Sequence, residues 1–318
     1  MKLIKFIFYF FLSRKFYLIN TPFEYMAMAE YFYSKNCDIS EFPLIVGYCS
    51  PNSKKQIKEI IKNFYKKNQK IFYLDELMNV KIFHLILFIQ KKIKRKFLLI
   101  VAGSFNYYLF REFFKRSSKI VFIDDGYETI NSVNEKEVKN WNCEFYSIYN
   151  IKNLDLKIEK NNFDLIKSFQ VKQRVDKNLV FLLGSSIFQN KARIANYYLL
   201  LKDFIEANHK KKIIYFPHRG EIIDNNIKLF ENFEIRKIEE PIETYLLKSN
   251  VSPCLIAGFY TAALYNFKKI LINNDIEIMN INFDNSKQKW EESDRSFMHI
   301  YFMQHLKEVG VKDFYQSI

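Results

Sequence analysis

The feature that most constrains this chain is a series of short, nearly uninterrupted apolar runs separated by longer charged segments. Residues 16–20 (FYLIN), 42–48 (FPLIVGY), 71–74, 97–102 (FLLIVA) and 120–123 (IVFI) are too short for helices. They are also too uniformly apolar for strands wetted on one face, so they predict parallel strands covered on both sides. Between them, residues 23–32, 54–67, 77–94 and 106–115 carry helical spacing of bulky or charged residues. The pattern pauses over a polar, Lys- and Asn-rich stretch at 151–176. It restarts with strands at 179–183 (LVFLL), 213–216 (IIYF), 233–238, 255–259 and 270–273, a helix at 192–207 and a closing helix at 290–309. Alternation of this kind, run through twice in 318 residues, predicts an α/β fold of two Rossmann-like, doubly wound domains, 1–160 and 161–318, facing across a cleft.

Composition narrows the class. With 49% hydrophobic and 18% aromatic residues the chain can fill two cores, which excludes disorder, and 7 Gly with 6 Pro leave little for linkers or repeats. The cysteines Cys37, Cys49, Cys143 and Cys254 lack C-x-x-C spacing, so neither a zinc cluster nor a disulfide framework is expected and a reducing cytoplasm fits. A surplus of 49 basic over 35 acidic residues favours anionic partners such as phosphates, nucleotide sugars or an acidic membrane surface, although solvated Lys-rich faces give the same count. Residues 1–12 (MKLIKFIFYFFL) are too short to span a bilayer and lack a signal-peptide cleavage site. They read either as a peripheral contact with the inner membrane or as a buried or edge strand.

The usual glycine-rich, zinc-hydrolase and serine-hydrolase signatures are absent, as is a D-x-D metal-sugar motif, so no cofactor and no metal is expected. Three strand ends stand out, because open α/β sheets bind ligands beyond the carboxyl ends of their strands. Asp124-Asp125-Gly126 follows IVFI. Adjacent carboxylates raise one another's pKa and suit a general base, though the triplet also makes an ordinary turn. Pro217-His218-Arg219-Gly220-Glu221 follows IIYF, where an imidazole beside a guanidinium can hold a phosphate and protonate a leaving group, with Glu221 as orienting carboxylate. Gly258-Phe259-Tyr260-Thr261 follows the next strand, with Thr261 as helix N-cap or phosphate ligand. Glu243, at another helix start, is placed to grip a ribose diol, and Gly184-Ser185-Ser186 lines the same cleft. His84, His209, His299 and His305 lie in helical or charged stretches and read as structural or surface residues.

In that order, with Thr21-Pro22-Phe23 near the start, these motifs resemble glycosyltransferase family 52, the bacterial lipooligosaccharide sialyltransferase family. The resemblance implies a GT-B fold, a CMP-sialic acid donor, a galactose-type acceptor on a surface glycan or glycolipid, and inversion without a metal. His218 would meet the departing CMP phosphate, Tyr260 and Thr261 would hold it, and Glu243 would hold the ribose. The segment after Gly184 is Ser185-Ser186-Ile187-Phe188-Gln189, with no carboxylate, so Asp124 or Asp125 becomes the base by exclusion. Strand alternation puts the two aspartates on opposite faces, and Asp124, which ends the strand, is the expected one. Two alternatives stand beside this: a GT-B transferase using a UDP- or ADP-sugar, and a non-enzymatic basic nucleic-acid-binding protein. Dispersed charge and the absence of a nucleic-acid-binding signature speak against the second, so no nucleic acid is expected as partner. The oligomeric state stays open, with a dimer as the form to test.

Overall fold

Apolar strands of this kind bury both faces, and each sheet here does so by placing helices on either side. The computed structural model describes residues 2–39, 43–47, 50–64, 70–77, 88–89, 92, 96–103, 114–126, 128–133, 135, 138–153, 155–185, 201–218, 221, 230–259, 261–271, 275–281 and 304–314. They form two compact units, Met1–Leu165 and Ile166–Ile318.

Unit 1 opens with helix α1 (Lys2–Leu12), then β1 (Lys15–Ile19), α2 (Pro22–Ser34), β2 (Leu44–Val46), α3 (Pro51–Phe64), β3 (Ile71–Tyr73) and the single turn α4 (Leu74–Leu77). It continues with β4 (Leu99–Ala102), β5 (Ile120–Ile123), α5 (Glu128–Ser132), β6 (Cys143–Ser147) and β7 (Lys157–Lys160). The sheet order is β3-β2-β1-β4-β5-β6-β7, and every described pairing is parallel. Side chains alternate through this sheet. Phe16, Leu18, Ile100, Ala102, Ile120 and Phe122 form one core with Phe6 and Phe10 of α1. On β1, the intervening Tyr17 meets Phe32 of α2 with ring centroids 4.5 Å apart.

Helix α6 (Asp164–Ser168) lies at the junction, and unit 2 then runs β8 (Arg174–Leu183), β9 (Lys212–Phe216), β10 (Phe233–Ile235), α7 (Ile242–Lys248), β11 (Val251–Gly258), α8 (Ala262–Ile270), β12 (Glu277–Ile281) and β13 (Lys312–Phe314). The order β10-β9-β8-β11-β12-β13 repeats the winding of unit 1. Val180, Leu182, Ile213, Tyr215, Leu255 and Ala257 pack with Leu201, Phe204 and Ile205 from helical residues 201–207. In both sheets the winding reverses beside the first strand of the unit, between β1 and β4 and between β8 and β11. That is where a doubly wound sheet opens at its carboxyl edge.

Several elements depart from the sequence reading. Residues 2–12 are a helix rather than a strand, because Phe6 and Phe10 share one helical face and both enter the core. The strand read at 270–273 belongs elsewhere: Ile270 ends α8, Leu271 caps it, and the next strand is Glu277–Ile281. The polar stretch at 151–176 contains β7, α6 and the start of β8. As an edge strand of sequence KIEK, β7 has no apolar run to reveal it. β6 and β13, five and three residues long, are two further strands that no long apolar run marks. Most of the expected helices at 77–94, 106–115, 192–207 and 290–309 lie outside the described residues.

Candidate active site

Strand register brings three of the expected motifs to one edge. Leu183 of β8 lies between Phe216 of β9 and Gly258 of β11, so the residues that follow these three strands emerge side by side. The first step beyond β8 is Gly184, whose N–H donates to Phe216 O at 2.9 Å. Glycine is required there by close approach. A Cβ on Gly184 would overlap the Glu221 carboxylate and come within 2.7 Å of both His218 N and the Tyr215 hydroxyl.

The carboxylate that fills this space is bonded to its neighbours on both sides of the sheet edge. Glu221 Oε2 accepts from His218 N at 3.0 Å, Glu221 Oε1 accepts from the Tyr215 hydroxyl, and Glu221 N donates to His218 O at 2.8 Å. Glu221, the expected orienting carboxylate, thus fixes the backbone of His218. Tyr215 was read only as a strand residue. A hydroxyl on a buried tyrosine one residue before the strand's end was the available signal, since such a group needs a partner.

On the other side of β8, Gly258 leaves room for the Thr261 methyl, 2.9 Å from where a Cβ would sit. Thr261 has extended backbone (φ −104°, ψ 136°), and its hydroxyl accepts weakly from Ala263 N at 3.4 Å at the start of α8. The open N–H groups of a helix start and the helix dipole make such a position suited to an anion. Ser185 is buried at the same edge, while Pro217 and His218 are half-buried. Ser186, Arg219, Gly220 and Tyr260 lie outside the described residues.

Glu243 is differently placed. It is 6% exposed, and its Oε1 accepts from Asn266 Nδ2 of α8 at 2.9 Å, so its carboxylate serves the α7–α8 helix pair. His209 is exposed and His305 buried, its imidazole held below its ordinary pKa by burial, while His84 and His299 lie outside the described residues.

In unit 1 the aspartate pair divides in the opposite sense to the expectation. Asp124, the expected base, is fully buried: Oδ1 accepts from Ser147 Oγ at 2.5 Å and Oδ2 from Ile148 N at 2.7 Å. Burial pushes its pKa up to about 7 against the opposing pull of these hydrogen bonds. A carboxylate so enclosed ties β5 to β6 rather than meeting an acceptor. Asp125 is the partly exposed member, its N–H donating to Thr129 Oγ1 at 2.8 Å. Gly126 follows with φ 58°, the left-handed conformation that favours glycine in this strand-to-helix turn.

Unit 1 has its own glycine-cleared edge at the corresponding reversal. Thr21 caps α2 by accepting from Glu24 N at 3.1 Å, and Glu24 Oε2 accepts in return from Asn20 N at 2.7 Å, a reciprocal capping arrangement. The Glu24 carboxylate occupies the space over Gly103, and the Asn20 carboxamide oxygen the space over Gly47. No group of three or more His, Cys, Asp or Glu side chains able to hold a metal occurs among the described residues.

No family model matches the chain, and no curated protein matches its sequence. Solved structures do match. The Methanocaldococcus jannaschii UDP-GlcNAc 2-epimerase in complex with UDP-GlcNAc and UDP superposes with a TM-score of 0.53 at 14% identity, over 84% of this chain and 83% of that one. The S. aureus MnaA structure with UDP gives 0.54 at 10% identity, over 84% and 79%. Identities this low speak for fold alone, and on that footing the two doubly wound sheets are those of a GT-B protein.

Proposed function

We propose that this chain is a glycosyltransferase that uses a nucleotide sugar and holds the donor's phosphates on the carboxyl edge of unit 2. The observation that carries the proposal is the glycine-opened reversal of that sheet, where Gly184, the Glu221-braced loop with His218, and Thr261 at the start of α8 emerge from three adjacent strands. Departure of a nucleotide leaves negative charge on its phosphate. His218 and the N–H groups at the start of α8 supply the donors for that charge. Of the aspartate pair in unit 1, Asp125 is the candidate base, because Asp124 is enclosed. The acceptor is a glycan or glycolipid.

Both like-folded proteins are bound to UDP, so uridine nucleotide sugars are the first donors to test. Sialyl transfer from CMP-sialic acid is the second reading, favoured by the ordered motifs from Thr21 to Leu264. The experiment is thermal stabilisation by UDP, CMP and ADP, followed by incubation of the stabilising nucleotide's sugars with a panel of galactosides. The product mass of an extended acceptor supports transfer. Isomerisation of a UDP-sugar without any acceptor, or no stabilisation by any nucleotide, overturns the proposal.

A further inference from the structure

Helix α1 buries one face and leaves another apolar. Phe6 stacks on Phe10 at 5.3 Å and meets Phe72 edge-on at 5.4 Å, and Phe10 reaches Phe16 at 5.3 Å, so the inner face is fixed in the unit 1 core. Ile4, Phe8 and Leu12, each four residues from the last, form a single stripe along the outer face and are 72%, 59% and 62% exposed. An ordinary surface helix puts charge there.

Basic groups border the stripe. Lys5 is exposed beside it, and Lys70 Nζ lies 4.4 Å from the centre of the Tyr9 ring on the same flank. At the C-terminal end Arg14 is exposed, and its carbonyl accepts from Leu98 N at 2.8 Å. That bond brings in exposed Leu98 and, two residues before it, Lys96, the last of the run KKIKRK at 91–96. Neither residues 1–23 nor residues 77–111 contain an Asp or Glu.

We infer that α1 docks this protein on an anionic phospholipid surface, lying in the plane of the interface with Ile4, Phe8 and Leu12 among the acyl chains and the basic collar at the headgroups. Eleven residues make a helix about 16 Å long, short of the roughly 30 Å hydrocarbon core, so it lies along the bilayer rather than across it. No helix among the described residues is long and apolar enough to cross a membrane. A second copy of the chain fits less well. Three side chains cannot supply the roughly 800 Å² per partner of a stable interface, and like-charged collars repel.

Flotation of the full chain with neutral phosphatidylcholine vesicles, and with vesicles containing phosphatidylglycerol, tests this. The wild type is expected to float with the anionic vesicles and to be released as salt rises. The variant Ile4→Ser/Phe8→Ser/Leu12→Ser should bind at least tenfold more weakly, and Lys5→Gln or Arg14→Gln about fivefold more weakly each. Melting temperature checks that the triple variant is folded, and Phe8→Ser alone carries the test if it is not. The inference fails if the wild type stays unbound, binds neutral vesicles equally well, or is matched by the triple variant. It also fails if sedimentation shows a wild-type dimer that the triple variant breaks.

Discussion

Gly184→Ala probes the loop architecture of the candidate site with a single methyl group. No left-handed backbone is involved at Gly184, so the cost is steric. The added Cβ would overlap the Glu221 carboxylate and lie 2.7 Å from His218 N, a backbone atom that cannot swing aside. Relieving the overlap means turning the carboxylate away from Tyr215 or His218 and giving up a hydrogen bond to a charged group, about 1.5–3 kcal/mol. Residual overpacking adds about 1–3 kcal/mol. A total of about 2.5–6 kcal/mol corresponds to roughly 5–24 °C in the melting of a unit this size. Gly258→Ala is the milder comparison, because its Cβ would meet the Thr261 methyl at 2.9 Å and Leu183 Cβ at 3.2 Å with no carboxylate to displace, and overpacking alone, about 1–3 kcal/mol, is expected. Both melts are read by calorimetry, with nucleotide binding in parallel. In a Glu221→Ala background the part of the Gly184→Ala cost that comes from displacing the carboxylate should vanish, while the 2.7 Å approaches to His218 N and the Tyr215 hydroxyl remain. Gly184→Ala melting no lower than Gly258→Ala, or fully additive with Glu221→Ala, would refute this account of the loop.

His218→Ala and Thr261→Ala should weaken nucleotide binding or turnover while shifting melting by less than Gly184→Ala, because both side chains are partly exposed; equal loss of stability and activity would make them structural. Asp125→Asn should lower turnover about 100-fold or more if it is the base, with the acidic limb of the pH–rate profile lost, and normal turnover removes it from the mechanism. The folded pKa of Asp124 is raised to about 7 by burial, so its contribution to stability is full below the ordinary carboxylate range and declines as pH rises through about 7. Wild-type melting should therefore fall between about pH 4 and 7 relative to Asp124→Asn, whose amide can still serve Ser147 and Ile148; parallel pH curves would refute it. Glu144 has the opposite sign. Held low by hydrogen bonds and charge from Lys119 and Lys157 despite burial, it stabilises above the ordinary carboxylate range and stops doing so as pH falls through its lowered pKa. Glu144→Gln should flatten the acid side of the melting curve.

The class of fold was legible in the sequence because a strand buried on both faces must be apolar along its whole length. IVFI, LVFLL and IIYF therefore announce themselves without reference to their neighbours. The strand ends were legible for the same reason, and with them Gly184, His218 and Thr261. Strands whose burial depends on position in the sheet were not: KIEK of β7 is an edge strand, and its composition matches that of a loop. The roles within the site were decided by tertiary structure. Asp124 and Asp125 are the same residue type, one position apart, and only the closure of Ser147 and Ile148 over the first makes it the enclosed one. Glu221 and Glu243 are likewise equivalent on paper, yet one braces a loop at the sheet edge and the other bonds to Asn266, 23 residues away along the chain. A local pattern reports what a segment must bury. Which partner satisfies a polar side chain depends on contacts between distant segments, and those exist only once the chain has folded.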